Sequence, residues 1–556
     1  MRARSLVLLS TTLALGACAA TTETAVAPVS AAPPISEANL RAWTEELSSD
    51  AYMGRAPMTV GEEKTISFLT EKMAAAGLQP GNNGSWLQPV PLVELSVNEG
   101  RADLAFRKDG QPLFSAEYGD DQVIWTKRVE PTVSMKDAEL VFVGYGINAP
   151  EKNWNDYEGI DMAGKVAVIL VNDPDWQTQG LDGDFNGRAM TYYGRWTYKY
   201  EEAARQGAAG ALIIHDTEPA AYGWQTVESS WSGPQIEMDR PDNGAGRVAV
   251  EGWVQKGIAE RLFTAAGIDM AALSEQAKSR DFEAVPMGIA ASARLENDIR
   301  RAASNNVIGI LPGSTRPDEY VLHTAHWDHL GVCAPGEADE ICNGAFDNAT
   351  GTAGLVELGR VHAEAGPAER TLVFLAVTAE ESGLLGSAYY AEQPVFPLEQ
   401  TVGGLNMDGL GILGATNDVV VVGSGKSELE DILAEEVAGQ GRRIDVEPTP
   451  EKGFYYRSDH FSLAKKGVPM LYADGGVDVV GKGSEYGNAA AKAYTEERYH
   501  LPADNYDPNW NWDGAIQDLQ LNYAVGRALA MSDDWPNWRP GDEFRAIRDA
   551  SRAGAQ

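Results

Sequence analysis

YVLHTAHWDHLG (residues 320–331) is an apolar run that turns polar all at once, at His326-Trp327-Asp328. The same switch recurs along the chain. TLVFLAVTA (371–379) runs into Glu380-Glu381, and TVGGLN (401–406) runs into Met407-Asp408. VIGILPG (307–313), DVVVVGSG (418–425) and VPMLYADGG (468–476) are further short apolar strands. Helix-length segments such as GTAGLVELGRVHAEAG (351–366) separate them. Strands apolar on both faces and alternating with helices predict an α/β domain, with a mostly parallel sheet covered on both sides. Such sheets bind ligands beyond the carboxyl ends of their strands, and that is where these polar residues fall.

Upstream, SEANLRAWTEELSSD (36–50) and GEEKTISFLTEKMAAAG (61–77) read as helices, the second stopped by Gly77. The middle changes character. VFVGYGI (141–147), GKVAVILVND (164–173) and GAAGALIIHD (207–216) are buried-type strands, and TYKYEEAARQ (197–206) between the last two is a helix. This stretch has many aromatics and few catalytic groups.

At 556 residues the chain is too long for one ordinary domain. Asp and Glu number 81 against 45 Lys and Arg, a formal charge of −36 that repels phosphate backbones and argues against a nucleic-acid partner. Residues 1–18 carry Arg2 and Arg4, then an apolar run, then small residues before Cys18, the pattern of a secretory signal. Leu15-Gly16-Ala17-Cys18 resembles a bacterial lipobox, in which the cysteine is lipidated, although Ala17-Cys18-Ala19 also fits ordinary cleavage. Residues 19–35 form a Pro-containing flexible tether. The expectation is an exported, membrane-anchored lipoprotein facing the periplasm or cell exterior, touching membrane only through its lipid. In that oxidising setting Cys333 and Cys342, nine apart in CAPGEADEIC, are expected to form a disulfide; a cysteine metal pair has poor spacing and no partner pair.

The polar strand ends carry the chemistry. His326, Asp328, Glu380, Glu381 and Asp408 are joined by Asp347, entering a helix from NGAFDNATG (343–351), and by Tyr499-His500 downstream. One such carboxylate is usually a helix cap. Five sites of mixed imidazole and carboxylate on one sheet edge, with almost no Lys or Arg in the motifs, need divalent cations for neutrality. The donor types favour Zn²⁺, with Mn²⁺ or Co²⁺ alternatives.

HWDHLG (326–331), NGAFDNATG, TAEESGLLGS (378–387), NMDG (406–409) and YHLPAD (499–504) occur in the order of the secreted dizinc aminopeptidases, a family related to glutamate carboxypeptidase, the transferrin receptor and glutaminyl cyclase. The resemblance covers about residues 300–535 strongly and 36–95 more weakly. EKNWNDYEGIDMAGKVAVIL (151–170) with AARQGAAGALII (203–214) resembles the protease-associated domain often inserted in this family. The resemblance implies a three-layer αβα zinc-exopeptidase domain, with a mostly parallel mixed central sheet, in two parts (36–125 and 291–535). These flank a β-rich protease-associated insert (126–290), and a tail follows (536–556), expected at 540–556 to be a solvated helix. It implies two Zn²⁺ per chain, with Asp347 bridging, His326 and Asp408 completing one site and Glu381 and His500 the other. Glu380 is then the general base, Asp328 the residue orienting His326, and Tyr499 the oxyanion donor. The family's usual GRxPGT is here GRAPMT (54–59), with Met58 in place of Gly.

The implied activity is removal of N-terminal residues from peptides with a free N-terminus. Alternatives are a glutamate-carboxypeptidase-like exopeptidase, which needs arginines for a substrate carboxylate and has only Arg457 in view, and a glutaminyl cyclase, whose relatives use a single zinc. A receptor of the transferrin-receptor kind has lost its ligands, whereas all are present here. His323 and His329 read as buried, hydrogen-bonded neighbours of the ligand. His215 and His362 read as structural, Arg457-Ser458-Asp459-His460 as cleft wall, and Trp535 and Trp538 as a packed edge.

Overall fold

The computed structural model describes residues 33–555; Cys18, the signal segment and most of the tether lie outside the described residues. Two sheets organise the chain. The first runs, in spatial order, through strands Gln235–Met238, Leu87–Val97, Val285–Leu311, Arg370–Val377, Arg316–His326, Thr401–Asn406, Met470–Gly475 and Asp418–Val421. Its centre is parallel: 316–326 pairs in parallel with both 370–377 and 401–406, and 401–406 with 470–475.

The two faces of these strands feed different cores. Val321, Leu372, Phe374, Leu405 and Leu471 pack under helices Glu37–Leu47, Val60–Ala75, Gly351–Glu364, Leu429–Gly439 and Asp513–Met531. Leu322, Val373, Leu375 and Met470 pack with Tyr390 and Leu463, from helices Leu385–Glu392 and His460–Ala464. Successive side chains alternate across a strand, so two buried cores on one sheet make three layers, α over β over α.

The second sheet contains 103–108, 111–116, 122–125, 132–142, 166–170, 210–215 and 250–255. It takes in residues ahead of 126 as well as those after it. Strand Val285–Leu311 serves both sheets. Residues 285–296 pair with 132–142, 297–307 with 87–97, and 307–311 with 370–377. Further contacts seat the second sheet's loops on the first unit: the Met190 N–H donates to the Pro450 carbonyl at 3.1 Å, Arg188 pairs with Glu451 at 2.6 Å, and the Tyr192 ring meets Phe461 edge-on.

The end of the chain corrects the expectation of a solvated tail. Helix Arg545–Ala555 buries Arg548, whose guanidinium donates to the carbonyls of Leu398, Thr401 and Val402. Trp538 is buried and its indole N–H donates to the Gly467 carbonyl at 2.9 Å. Charged composition marks a surface helix, but free carbonyls at a strand start are partners that no local pattern announces. Cys333 and Cys342 form the expected disulfide, with Cα atoms 5.7 Å apart. Met58 holds φ 63°, the left-handed conformation that glycine adopts without cost. Among the described residues no helix is long and apolar enough to cross a membrane.

Candidate metal centre and its cleft

Three parallel strands deliver their groups to one edge. His326 ends strand 316–326, Glu380 and Glu381 lie just past 370–377, and Asp408 just past 401–406. Register places His326 beside Val377, and Thr324 beside Asn406. Asp347 arrives on an irregular turn, Ala345–Thr350, ahead of helix 351–364. Gly344 enters that turn at φ 54°, where a Cβ would collide with the His329 ring and the Asp347 carbonyl. Asn348 pins the turn to the next loop: its amide donates to the Met407 carbonyl, and its Oδ1 accepts from the Gly409 N–H.

The two oxygens of Asp347 face different partners. Oδ1 lies 3.3 Å from His326 Nε2, which is also 3.0 Å from Asp408 Oδ1. Oδ2 lies 3.4 Å from His500 Nε2, which is also 3.0 Å from Glu381 Oε2. All five expected ligands are therefore brought together. His329 joins them: its Nδ1 is 2.5 Å from Glu381 Oε1, and the donor atoms of His329, Asp347 and Glu381 lie within 4.8 Å of one another. His326, Asp347 and Asp408 form an equally tight group. His329 lies beside His326 in sequence, and the group its ring meets is the Glu381 carboxylate. The HxxH spacing of 326 and 329 was its one local signal.

Asp328 departs from its expected role. Its carboxylate is 3.9 Å from His326 Nδ1, and it is the Asp328 main-chain carbonyl that meets that nitrogen, at 3.2 Å. The carboxylate instead accepts the backbone N–H groups of Glu380, at 3.1 Å, and Glu381, at 3.4 Å, fixing the loop that carries both glutamates.

Electrostatics mark the cluster. Burial works against a charged His326, yet the Asp408 and Glu380 carboxylates raise its pKa well above the usual imidazole value. Burial likewise disfavours charge on His500, but Glu381 and Asp347 bring it up to about 10. Glu380 lines the cleft. Its enclosure, with Asp408 and Glu381 alongside, lifts its pKa well above the carboxylate range. Burial pushes Asp328 and Asp459 each up to about 7. Among the described residues, no Lys or Arg forms an ion pair with Asp347, Glu380, Glu381 or Asp408; only imidazoles do. Imidazole and carboxylate donors converging with no lysine or arginine in ion-pair contact among the described residues fit a zinc-type divalent cation.

The cluster opens into a cavity of about 1370 Å³ lined by Glu380, Glu381, Tyr499 and His500, and on the far wall by Tyr192, Arg195 and Trp196 of the second sheet's unit. Tyr499 stacks on His500 at 3.8 Å, and its hydroxyl accepts from Arg457 at 3.3 Å. Arg195 is a cleft residue that sequence reading missed, because only the tertiary fold brings it near Arg457. His215 bonds the Tyr222 carbonyl, while His323 and His362 are buried with no hydrogen-bond partner on either nitrogen.

Residues 306–524 match the sequence model of Peptidase family M28. The mouse "Aminopeptidase NAALADL1" is 32% identical over 129 residues, 22% of this chain and 16% of that protein. "Aminopeptidase YwaD" of Bacillus subtilis is 34% identical over 116 residues, 21% of this chain and 23% of that protein. The solved aminopeptidase from Aneurinibacillus sp. strain AM-1 aligns over 92% of this chain and 95% of its own, with 18% identity and a TM-score of 0.47. The chain thus spans under a quarter of the length of these two curated relatives. The segment that presents every group of the cluster lies within residues 306–524, the part of the chain that is similar to Peptidase family M28.

Proposed function

We propose that the protein is a zinc-dependent aminopeptidase that removes N-terminal residues from peptides, with two Zn²⁺ held by His326, Asp347, Glu381, Asp408 and His500. The observation that carries this reading is the placement of Asp347, one oxygen toward His326 and Asp408 and the other toward His500 and Glu381. Bound there, the metals would supply a polarised scissile carbonyl and an acidified water. Glu380 takes that water's proton and returns it to the leaving amine, a role suited to a carboxylate whose pKa is raised by enclosure and neighbouring acids. Arg457 donates to the Tyr499 oxygen, which leaves the phenolic hydrogen free to point at a developing oxyanion. The acid-rich cleft attracts a substrate's free α-ammonium and sets the register of cleavage. Export and lipidation at Cys18 complete the proposal, placing the enzyme outside the cytoplasm on a membrane tether.

A panel of aminoacyl-nitroanilides with N-blocked controls, with and without chelator, tests it. Hydrolysis of free but not blocked substrates, abolished by chelator, is the expected result. A second reading is favoured by one observation. Arg195 lines the cavity with its Nε buried and unpartnered, and burial together with the nearby Arg457 charge brings its pKa down to about 10. Two guanidinium groups without a carboxylate suit a substrate carboxylate, as in a carboxypeptidase. Cleavage of N-blocked peptides with free C-termini, lost in Arg195→Met, would replace the aminopeptidase reading with that one.

A further inference from the structure

The Asp347 turn is held from both sides by groups outside the cluster. Arg55, in the GRAPMT segment, is fully buried; among the described residues no carboxylate makes an ion-pair contact with it, although Asp347, Asp504, Asp328 and Glu381 lie near enough to favour its charge. Its guanidinium spends its N–H groups on four main-chain carbonyls: Nε donates to Trp327 at 2.9 Å, Nη1 to Leu47 at 2.9 Å and to Asn343 at 2.7 Å, and Nη2 to Gly344 at 2.8 Å. Trp327 lies between His326 and Asp328, and Asn343-Gly344 leads into Asp347. Arg55's own carbonyl accepts the His329 N–H at 3.4 Å. Gly54, at φ 62°, lets this arginine approach: a Cβ there would collide with the Cys342 carbonyl and with Gly331.

On the opposite side stands Asp504, the last residue of YHLPAD, also fully buried. Its Oδ1 accepts the Phe346 N–H and its Oδ2 the Asp347 N–H, each at 3.1 Å, while its main-chain carbonyl accepts the Ala345 N–H at 3.0 Å. The Tyr494 hydroxyl donates to the same carboxylate at 3.2 Å. The turn from 343 to 347 thus has its carbonyls gripped by a cation and its amides gripped by an anion.

We infer that Arg55 and Asp504 are positioning residues that together set the distance between Asp347 and His326, and so the affinity and geometry of the metal centre. The inference rests on the metal reading proposed above. Neither side chain touches substrate. Arg55 ties the loop after His326 to the loop before Asp347, the two arms of the hairpin that the disulfide closes. Its planar fork can satisfy several carbonyls on separate segments at once, which the single nitrogen of lysine cannot. Partners one step removed from the ligands change metal affinity by about 10–100-fold when altered.

The test compares purified wild type, Arg55→Lys, Asp504→Asn and a control, Arg548→Lys. Arg548 is a matched reference: buried, and likewise donating to three main-chain carbonyls, but at the opposite end of the strands. Each protein is measured for zinc affinity by competition with a chelating dye, for the visible spectrum of its Co²⁺ form, for kcat and KM, and for thermal stability. Expected are at least tenfold weaker zinc binding and an altered Co²⁺ spectrum in Arg55→Lys and Asp504→Asn. Their kcat should fall more than KM changes, whereas Arg548→Lys loses stability with zinc affinity and spectrum intact. Wild-type affinity and spectrum in Arg55→Lys overturn the inference, as does an equal loss of affinity in Arg548→Lys. If Arg55→Lys fails to fold, Asp504→Asn decides by the same two readouts. A wild-type protein that binds neither zinc nor Co²⁺ refutes the metal reading itself, a distinct result.

Discussion

His323 sits three residues before His326 on the same strand, wholly buried, with both ring nitrogens unpartnered. Its ring stacks on Phe374 and lies 5.3 Å from that of His362, equally buried and unpartnered. Burial alone depresses the His323 pKa to about 4. Burial, His323 and Arg527 depress that of His362 well below the usual imidazole value. The folded state therefore holds these imidazoles neutral, while the unfolded chain protonates them near pH 6.5. Between those pH values the unfolded state binds more protons, so stability falls as pH falls. For His323 alone, a shift from about 6.5 to about 4 removes about 2 kcal/mol between about pH 7 and about pH 5. The assay is urea denaturation of chelator-treated protein at both pH values, for wild type and His323→Leu. Metal release and the titrations remote from His323 are then common to both proteins, and His362 differs only by the loss of its neighbour's charge. Wild type should lose about 2 kcal/mol more than the variant across that interval. Equal losses would refute a neutral, unpartnered His323 as an acid-sensitive element.

Glu380→Gln is expected to retain metal while turnover drops at least about 100-fold; near-normal turnover would remove Glu380 as the base. Asp347→Asn should lose bound zinc, seen by elemental analysis after dialysis, and full occupancy would sink the bridging role. Replacing Cys333 and Cys342 by Ser opens a nine-residue separation, whose closure contributes about 3 kcal/mol of chain entropy. A melting temperature unchanged by that replacement would show the hairpin to be held by other contacts. For the anchor, the full chain should partition into a detergent phase and Cys18→Ser should not.

What the sequence disclosed and what it withheld divide along physical lines. The strands were legible because buried parallel strands are apolar on both faces. The candidate site residues were legible because polar residues at the strands' carboxyl ends break that pattern abruptly: His326, Glu380, Glu381 and Asp408 each stand at or within four residues of a strand end. Arg55 was in plain view in GRAPMT, but its partners are four carbonyls spread from residue 47 to 344, and a carbonyl has no sequence signature. Asp328 was expected beside His326, but the split between its carbonyl and its carboxylate is a matter of ångströms that residue type does not encode. Arg195 and Arg457 meet across 262 positions, and only the docking of 188–192 on 450–461 brings them together.

That docking bears on how the cleft is built. Strand 285–311 leaves the second sheet and enters the first without a break, so its pairing with 132–142 and its pairing with 370–377 are two ends of one rigid element. Strand 235–238, from the middle of the second unit, adds to the edge of the first sheet at 92–95. The wall bearing Arg195 is therefore tied to the sheet that carries the imidazole and carboxylate cluster by shared backbone pairing, reinforced by the contact between Arg188 and Glu451. A linker-hinged wall would open by rotating about exposed loops. This one would have to break ladder hydrogen bonds along 87–97, the strand that lies next to 285–311 and beneath the cleft. The depth of the cleft is thus set by strand register, and substitutions on its rim should alter which substrates fit without loosening the two units from each other.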